Sequence, residues 1–455
     1  MPPTVLWFRR DLRLADHPAL LAAIDASDGG GVLPLFVLDD RLRDSSGANR
    51  LAFLYRSLRS LDESMGGRLI VRTGDPVDVV PALVREIGAT SVHVSADFGP
   101  YGHQRDMAVE AALGGVATFV RTGSPYGVDP GEVRKQSGTP FKVFTPFLRA
   151  WKEHPREAPS PIPKAVHWVD ARSDGVPADP EIAADLPEAG ERAAHARFAT
   201  FVERIGEYDA GRNAPALDAT SRLSVYLKYG AIHPRQLVGG LGRTKGEERF
   251  LFEVVWREFY ADVLWHNPTS VREALQPAMR DMAVDEGPET DERFSAWAEG
   301  RTGFPIVDAG MRQLATEGWM HNRVRMIAAS FLVKDLHLDW GRGARLFMDR
   351  LVDGDLASND HGWQWVAGTG TDAAPYFRVF NPMLQGEKFD PGGVYVRRYI
   401  PELEWISDKY LHHPWDDPAG PPADYPLPIV DHFVERDEAL ARYRAITSGG
   451  EPSSA

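Results

Sequence analysis

The runs VLWF (Val5–Phe8), LPLFVLD (Leu33–Asp39), LIVRTG (Leu69–Gly74), SVHVSAD (Ser91–Asp97) and ATFVRTG (Ala117–Gly123) decide the fold class of the first part of the chain. Each is short and mainly apolar. Between them lie segments of helical spacing, such as RLAFLYRSLRSLDESM (Arg50–Met65). Apolar strands alternating with helices predict an α/β domain over residues 1–130, a doubly wound parallel sheet covered by helices. Ligands of such sheets sit beyond the strand C-termini. No GxGxxG follows the first strand and no GxxxxGK[ST] occurs, so neither common phosphate-cradling fingerprint is present.

Outward from the sheet, composition changes. Residues 131–195 carry PREAPSPIPKAVHW and DGVPADPEIAADLPEAGE, which predict a long connector over the surface. Residues 196–447 are mainly helical in pattern, with RFLFEVVWREFYADVLW and RMIAASFLVKDL as strong examples, and predict a helical domain. The tail 448–455, SGGEPSSA, predicts disorder. The 455 residues include no cysteine, which excludes disulfides, thiolate metal sites and cysteine nucleophiles. No apolar run reaches membrane-spanning length, and MPPTVLWFRRDLRL runs into arginines where a signal peptide would stay apolar. A cytoplasmic protein without membrane contact, and a monomer, is the expectation. The net charge of −14 disfavours general binding to a phosphate backbone. Residues 301–400, with 12 Lys+Arg against 11 Asp+Glu, permit a local basic patch.

Three segments concentrate chemistry. TSRLS (Thr220–Ser224), after Tyr208, sets hydroxyls beside an arginine at a loop-to-helix junction; this can bind phosphate, but taken alone it reads first as a plain helix N-cap. In EVVWREFY, Glu253, Trp256, Arg257 and Tyr260 fall at i, i+3, i+4 and i+7 and share one helix face. That face reads as a binding surface or as an intrahelical Glu–Arg pair packed on aromatics. GWMHNRVRM (Gly318–Met326), DGDLASNDHGWQW (Asp353–Trp365) and GTGTDAAPYFRVFNP (Gly368–Pro382) gather Trp, Asn, Asp, His and Arg with little periodicity, as a site for a large planar polar ligand would. Asp353 and Asp355 lack the other oxygen positions of a calcium loop, and no metal is expected. His321 and His361 read as satisfied structural groups. GxSxG and HExxH are absent.

At these segments, and at WFRRDLRLADHPAL (Trp7–Leu20), the chain resembles the DNA photolyase/cryptochrome family over nearly its whole length, most closely class I cyclobutane pyrimidine dimer photolyases. The resemblance implies an α/β domain, a connector and a helical domain that holds FAD. By position, Tyr208, Thr220, Ser221, Arg222, Leu223 and Ser224 would lie near the FAD phosphates. Arg257, Asn322, Asp353, Asp355 and Asn359 would surround the rest, with Asn359 at the flavin N5. Light-driven electron transfer from reduced FAD would split pyrimidine dimers in damaged DNA. Glu253, Trp256, Arg323, Met326 and Trp365 match the dimer-binding set; Asn322 and Met326 stand where histidine acid–base chemistry is expected in the related (6-4) enzymes.

SADFGPYGHQRD (Ser95–Asp106) and ANRLAFL (Ala48–Leu54) resemble members that bind the antenna 8-hydroxy-5-deazaflavin, with Arg50 and Asp97 in its pocket. Trp363 and Trp340 match the inner two tryptophans of the family's electron path, with Trp340 closing the amphipathic segment RMIAASFLVKDLHLDW. Against the family's pattern, the outer tryptophan is missing near Gly287, and Phe250 stands where a tryptophan is usual beside the FAD. Asn359 and the short C-terminal extension favour repair over the alternative, a cryptochrome-type blue-light sensor without repair activity.

Overall fold

The structure is a computed structural model and describes residues 1–372 and 378–448. Residues 373–377 of the expected ligand segment lie outside it, as does the tail beyond Ser448, which ends the last helix, His432–Ser448.

Five strands, β1 (Thr4–Phe8), β2 (Val32–Leu38), β3 (Ile70–Thr73), β4 (Ser91–Val94) and β5 (Thr118–Arg121), form a parallel sheet in the order β3-β2-β1-β4-β5. β1 and β2 are buried along their whole length, which is why they read as unbroken apolar runs. The period of two still sorts their side chains. Leu6, Phe8, Phe36 and Leu38 enter one core, and Val5, Trp7, Leu35 and Val37 enter the core on the other face. The strand order reverses between β1 and β4, and this places a ligand crevice beyond their C-terminal ends.

The core on the first face does not stop at the α/β domain. It continues through Phe201, Ile205, Tyr208, Leu223, Tyr226, Tyr229 and Phe250 to Val352. Phe53, on the helix Ala48–Ser64, sits 5.0 Å from Tyr229 and 6.0 Å from Tyr226, ring centre to ring centre. The sheet and the helical part therefore share one hydrophobic core. Within 131–195 the chain makes a helix, Phe144–Glu153, which buries Phe144, Phe147 and Trp151. It then runs along the sheet, where Val32 N–H donates to the His167 carbonyl at 2.8 Å.

The long helix Lys245–His266 starts at a capping box in which Thr244 and Glu247 satisfy each other's backbone N–H. The helix expected to end at Trp340 stops earlier. It runs Asn322–Ser330, passes into a π-helical turn over Phe331–Asp335, and is broken at His337, whose φ is 54°. Trp340 instead opens the next helix, Trp340–Arg350. The helix Leu356–Ala367 is capped by Asp355, whose carboxylate accepts from Ser358 N–H at 3.1 Å. No helix among the described residues is long and apolar enough to cross a membrane.

Candidate cofactor and substrate site

A cavity of about 500 Å³ opens between these helices, within the range of roughly 300–1,000 Å³ usual for cofactor pockets. Tyr208, Ser221, Leu223 and Ser224 form one wall. The long helix contributes Glu253, Trp256, Arg257 and Tyr260, so the face inferred from their spacing does point at one space. Asn322, Arg323 and Met326 come from the helix Asn322–Ser330. Asp353, Asp355, Asn359, Trp363 and Trp365 close the opposite side. Four separate stretches of sequence thus meet at one cavity.

The local pairings resolve both open readings. Glu253 pairs with Arg212 at 2.7 Å, across to the helix Tyr208–Gly211 and not with Arg257 on its own helix. Burial raises the Glu253 carboxyl above its usual range, against the pull of Arg212. Arg257 donates to the Pro125 carbonyl at 3.0 Å and lies over Tyr126. The helix Ser224–Tyr229 has Leu223 at its N-cap and no side-chain cap, so TSRLS is not a capping sequence. Arg323 donates to Asn213 Oδ1 at 2.8 Å and covers Phe389, and Trp256 stacks on Phe144 at 3.9 Å.

Asp353 takes two bonds from Arg325 Nη2, at 2.8 and 3.0 Å. Asp355 pairs with Arg10 at 2.6 Å. Burial alone would raise the Asp355 carboxyl, but Arg10, Lys228 and Arg257 together hold it well below the usual range. Burial and the neighbouring Arg10 push Lys228 down to about 8. His321 caps the helix Asn322–Ser330 by accepting from Arg323 N–H at 3.2 Å; burial and nearby arginines lower it to about 3 and keep it neutral. His361 bonds the Ala357 carbonyl and Ser270 Oγ, at 2.8 and 3.1 Å. Both ring nitrogens of His361 are therefore partnered, whereas His321 Nε2 is buried without a partner in the protein, so His321 is not the fully satisfied group the sequence suggested.

Five expected residues lie outside the cavity wall. The Thr220 carbonyl accepts from Arg197 at 2.9 Å. Arg222, at φ 51°, pairs with Glu317 at 3.0 Å and lies over Trp319. Trp340 lines a separate cavity of about 250 Å³, beside His337, Arg280 and Arg442. Arg50 is buried, donates to the Ser45 carbonyl at 3.3 Å and keeps Nη1 without a partner. Asp97 accepts from Arg105 at 3.3 Å and Gly99 N–H at 3.0 Å, and burial against Gly102 leaves it little freedom. In chain order Arg50 comes after β2 and Asp97 after β4, the strands on either side of β1. Gly287 caps the helix Pro288–Ala298 at φ 107°, a backbone that a tryptophan adopts only with strain.

Arg10, Lys228, Arg212 and Arg325 escaped the reading of the sequence. Arg10 had a signal: it follows β1 directly, where ligands of such sheets sit. Arg212 and Arg325 are ordinary helix-surface arginines by spacing and become site residues only through tertiary packing.

The residues fit a flavin dinucleotide. Hydroxyls and cations suit a pyrophosphate, aromatic rings suit a planar heterocycle, and Trp363 Nε1 is a buried donor without a partner in the protein. Among the described residues no group of three or more His, Asp or Glu is arranged to hold a metal ion.

Comparison with known proteins gives the family. Residues 4–164 match the family described as DNA photolyase, and residues 250–445 match the FAD binding domain of DNA photolyase. The deoxyribodipyrimidine photo-lyase of Agrobacterium fabrum is 41% identical, over 98% of each chain. A bacterial class III photolyase from Agrobacterium tumefaciens superposes with a TM-score of 0.92 at 38% identity, covering 98% of both chains. A cryptochrome from Synechocystis superposes with a TM-score of 0.89 at 27% identity, covering 98% of this chain and 99% of its own. Two family matches that between them take in the sheet and the cavity-lining residues from Phe250 onward, and identity of this degree along the whole chain, place it in the DNA photolyase/cryptochrome family.

Proposed function

We propose that this protein repairs cyclobutane pyrimidine dimers in DNA, driven by light, with FAD in the 500 Å³ cavity. One observation carries the reading. The same cavity is lined by a cofactor-type set, Ser221, Ser224, Arg257, Asp355 and Asn359, and by a base-reading set, Glu253, Trp256, Arg323, Met326 and Trp365. A single space that serves both keeps the cofactor and a flipped lesion within contact. Bound FAD supplies the light absorption and the transferable electron.

The protein's own side chains do the positioning. Ser221, Ser224 and Arg257 hold anionic and polyol groups. Trp256 and Trp365 offer faces to two pyrimidine rings that have left the stack, an exit that costs on the order of a few kcal/mol. Glu253 accepts from a base edge, and Arg323 reaches a phosphate. Met326 exchanges no proton, which fits ring splitting without acid–base help at that position. Trp363, at the cavity wall, and Trp340, farther out, form an electron path for recharging the cofactor. A second chromophore, 8-hydroxy-5-deazaflavin, occupies the crevice beyond β1 between Arg50 and Asp97; the resemblance of those segments and their position in the chain after β2 and β4 support it.

Illumination of the reduced protein with a thymine-dimer oligonucleotide tests the function. Restored thymines in the light and none in the dark are expected. FAD-loaded protein that leaves the dimer intact under light would overturn repair in favour of light sensing. For the electron path, Trp363→Phe should stop blue-light bleaching of oxidised FAD and spare repair after dithionite reduction. Copurification of a deazaflavin from a host that makes it, lost in Arg50→Ala or Asp97→Ala, tests the antenna.

A further inference from the structure

Asn359 is held by two hydrogen bonds on one atom. Its Nδ2 donates to the Ala344 carbonyl at 3.1 Å and to Asp360 Oδ1 at 2.8 Å. An amide nitrogen carries two N–H groups, so both are spent. Turning the amide over would set its oxygen against the Ala344 carbonyl, acceptor against acceptor, so the hydrogen-bond pattern itself fixes the orientation. Among the described residues no donor takes Asn359 Oδ1. Asn359 lines the cavity, whereas Asp360 is buried behind the wall. The cavity therefore meets an acceptor at this point and no donor.

We propose that Asp360 is a positioning residue: by binding the second N–H of Asn359 it makes that amide present only its carbonyl oxygen, which selects a cofactor nitrogen that bears hydrogen over a bare one. This rests on the reading that FAD occupies the cavity with its N5 at Asn359. Oxidised flavin has a lone pair at N5 and repels a carbonyl oxygen; reduced flavin has an N5–H and is bonded by it. Asp360 thereby biases the site toward the reduced cofactor. Burial, with the charge of Asp355 adding, pushes the Asp360 carboxyl up to about 7, and the contact survives protonation because a carboxylic acid keeps an accepting oxygen.

The test compares Asp360→Asn with Asp360→Leu. Both lack charge, and only the first offers an oxygen to Asn359. Flavin absorbance per protein is measured first; wild-type protein that takes up no FAD would sink the cofactor reading itself. The midpoint potential of bound FAD is then titrated with dithionite and mediator dyes. Asp360→Leu should lie below Asp360→Asn by about 30 mV, the equivalent of a tenfold change for a two-electron couple. The gap should close when both are made in an Asn359→Ala background. Equal potentials for the two variants, or a gap that persists without Asn359, would overturn the proposal. If Asp360→Leu does not fold, Asp360→Ala takes its place with the same expected direction.

Discussion

At the scale of single residues, charge pairing across the cavity wall governs behaviour in acid. Asp355 titrates below its usual range in the fold because Arg10, Lys228 and Arg257 outweigh its burial. A depressed carboxyl contributes stability that is present above its unfolded value of about 4 and is lost as the pH falls toward its folded value. Asp355→Asn should therefore be less stable than wild type at pH 7, and its Tm should fall less steeply below pH about 4. Calorimetry across that range checks it; parallel curves would mean the pair is inert. Glu253 makes a prediction of another kind. It faces the cavity and is partnered by Arg212. Glu253→Ala should weaken binding of a dimer-containing duplex by about 1–3 kcal/mol, the usual loss when a buried polar partner disappears. A gel-shift comparison with undamaged duplex reads it, since undamaged DNA should lose much less.

At the scale of elements, the helix Trp340–Arg350 packs beneath Trp363 through a gap left by Gly343. A Cβ there would stand 2.1 Å from Trp363 Cη2. Elsewhere in a helix, glycine to alanine stabilises by about 0.5–1 kcal/mol. Here the sign should reverse: Gly343→Ala should destabilise by about 1–3 kcal/mol and lower FAD uptake, because Trp363 lines the cavity. Thermal melts and flavin absorbance check both parts. This is also the scale at which sequence was most and least informative. Strands buried along their whole length, as β1, β2 and β4 are, are legible as apolar runs, and the partly exposed β3 and β5 were legible beside them. The i, i+3, i+4, i+7 face of the long helix was legible because regular geometry alone determines it. The break at His337 was not, since a π-turn and a positive φ leave no periodic trace. Nor were Arg212 and Arg325, whose partners lie on other elements. The roles assigned to TSRLS drew on family resemblance, and the spacing of its residues says nothing of Arg222 turning toward Glu317.

At the scale of the whole molecule, the sheet and the helical part are parts of one core. Phe53, Tyr226 and Tyr229 join them, and Leu12 N–H donates to the Tyr229 carbonyl at 3.1 Å. A fragment of residues 1–130 would leave the aromatic face of the helix Ala48–Ser64 uncovered. It should keep far-UV helix signal, lose near-UV dichroism and bind the dye ANS, the marks of loose packing. A rigid fragment with sharp near-UV bands would show that the α/β part closes its core alone.

The partition that the Arg10–Asp355 ion pair makes between the end of β1 and the cavity has a further consequence. Arg10 leaves the end of β1 and grips Asp355 in the cavity wall, and Lys228 feels Arg10, Asp355, Arg50 and Asp97 together. Two ligands on either side of such a partition would share these charges. Each would then alter the affinity of the other by the same factor, since linkage between binding free energies is reciprocal. Loading becomes an ordered process: protein already filled on one side should fill on the other at a different ligand concentration from empty protein. Titrating deazaflavin into FAD-free and FAD-loaded samples would show two separated isotherms, and Lys228→Met would bring them together.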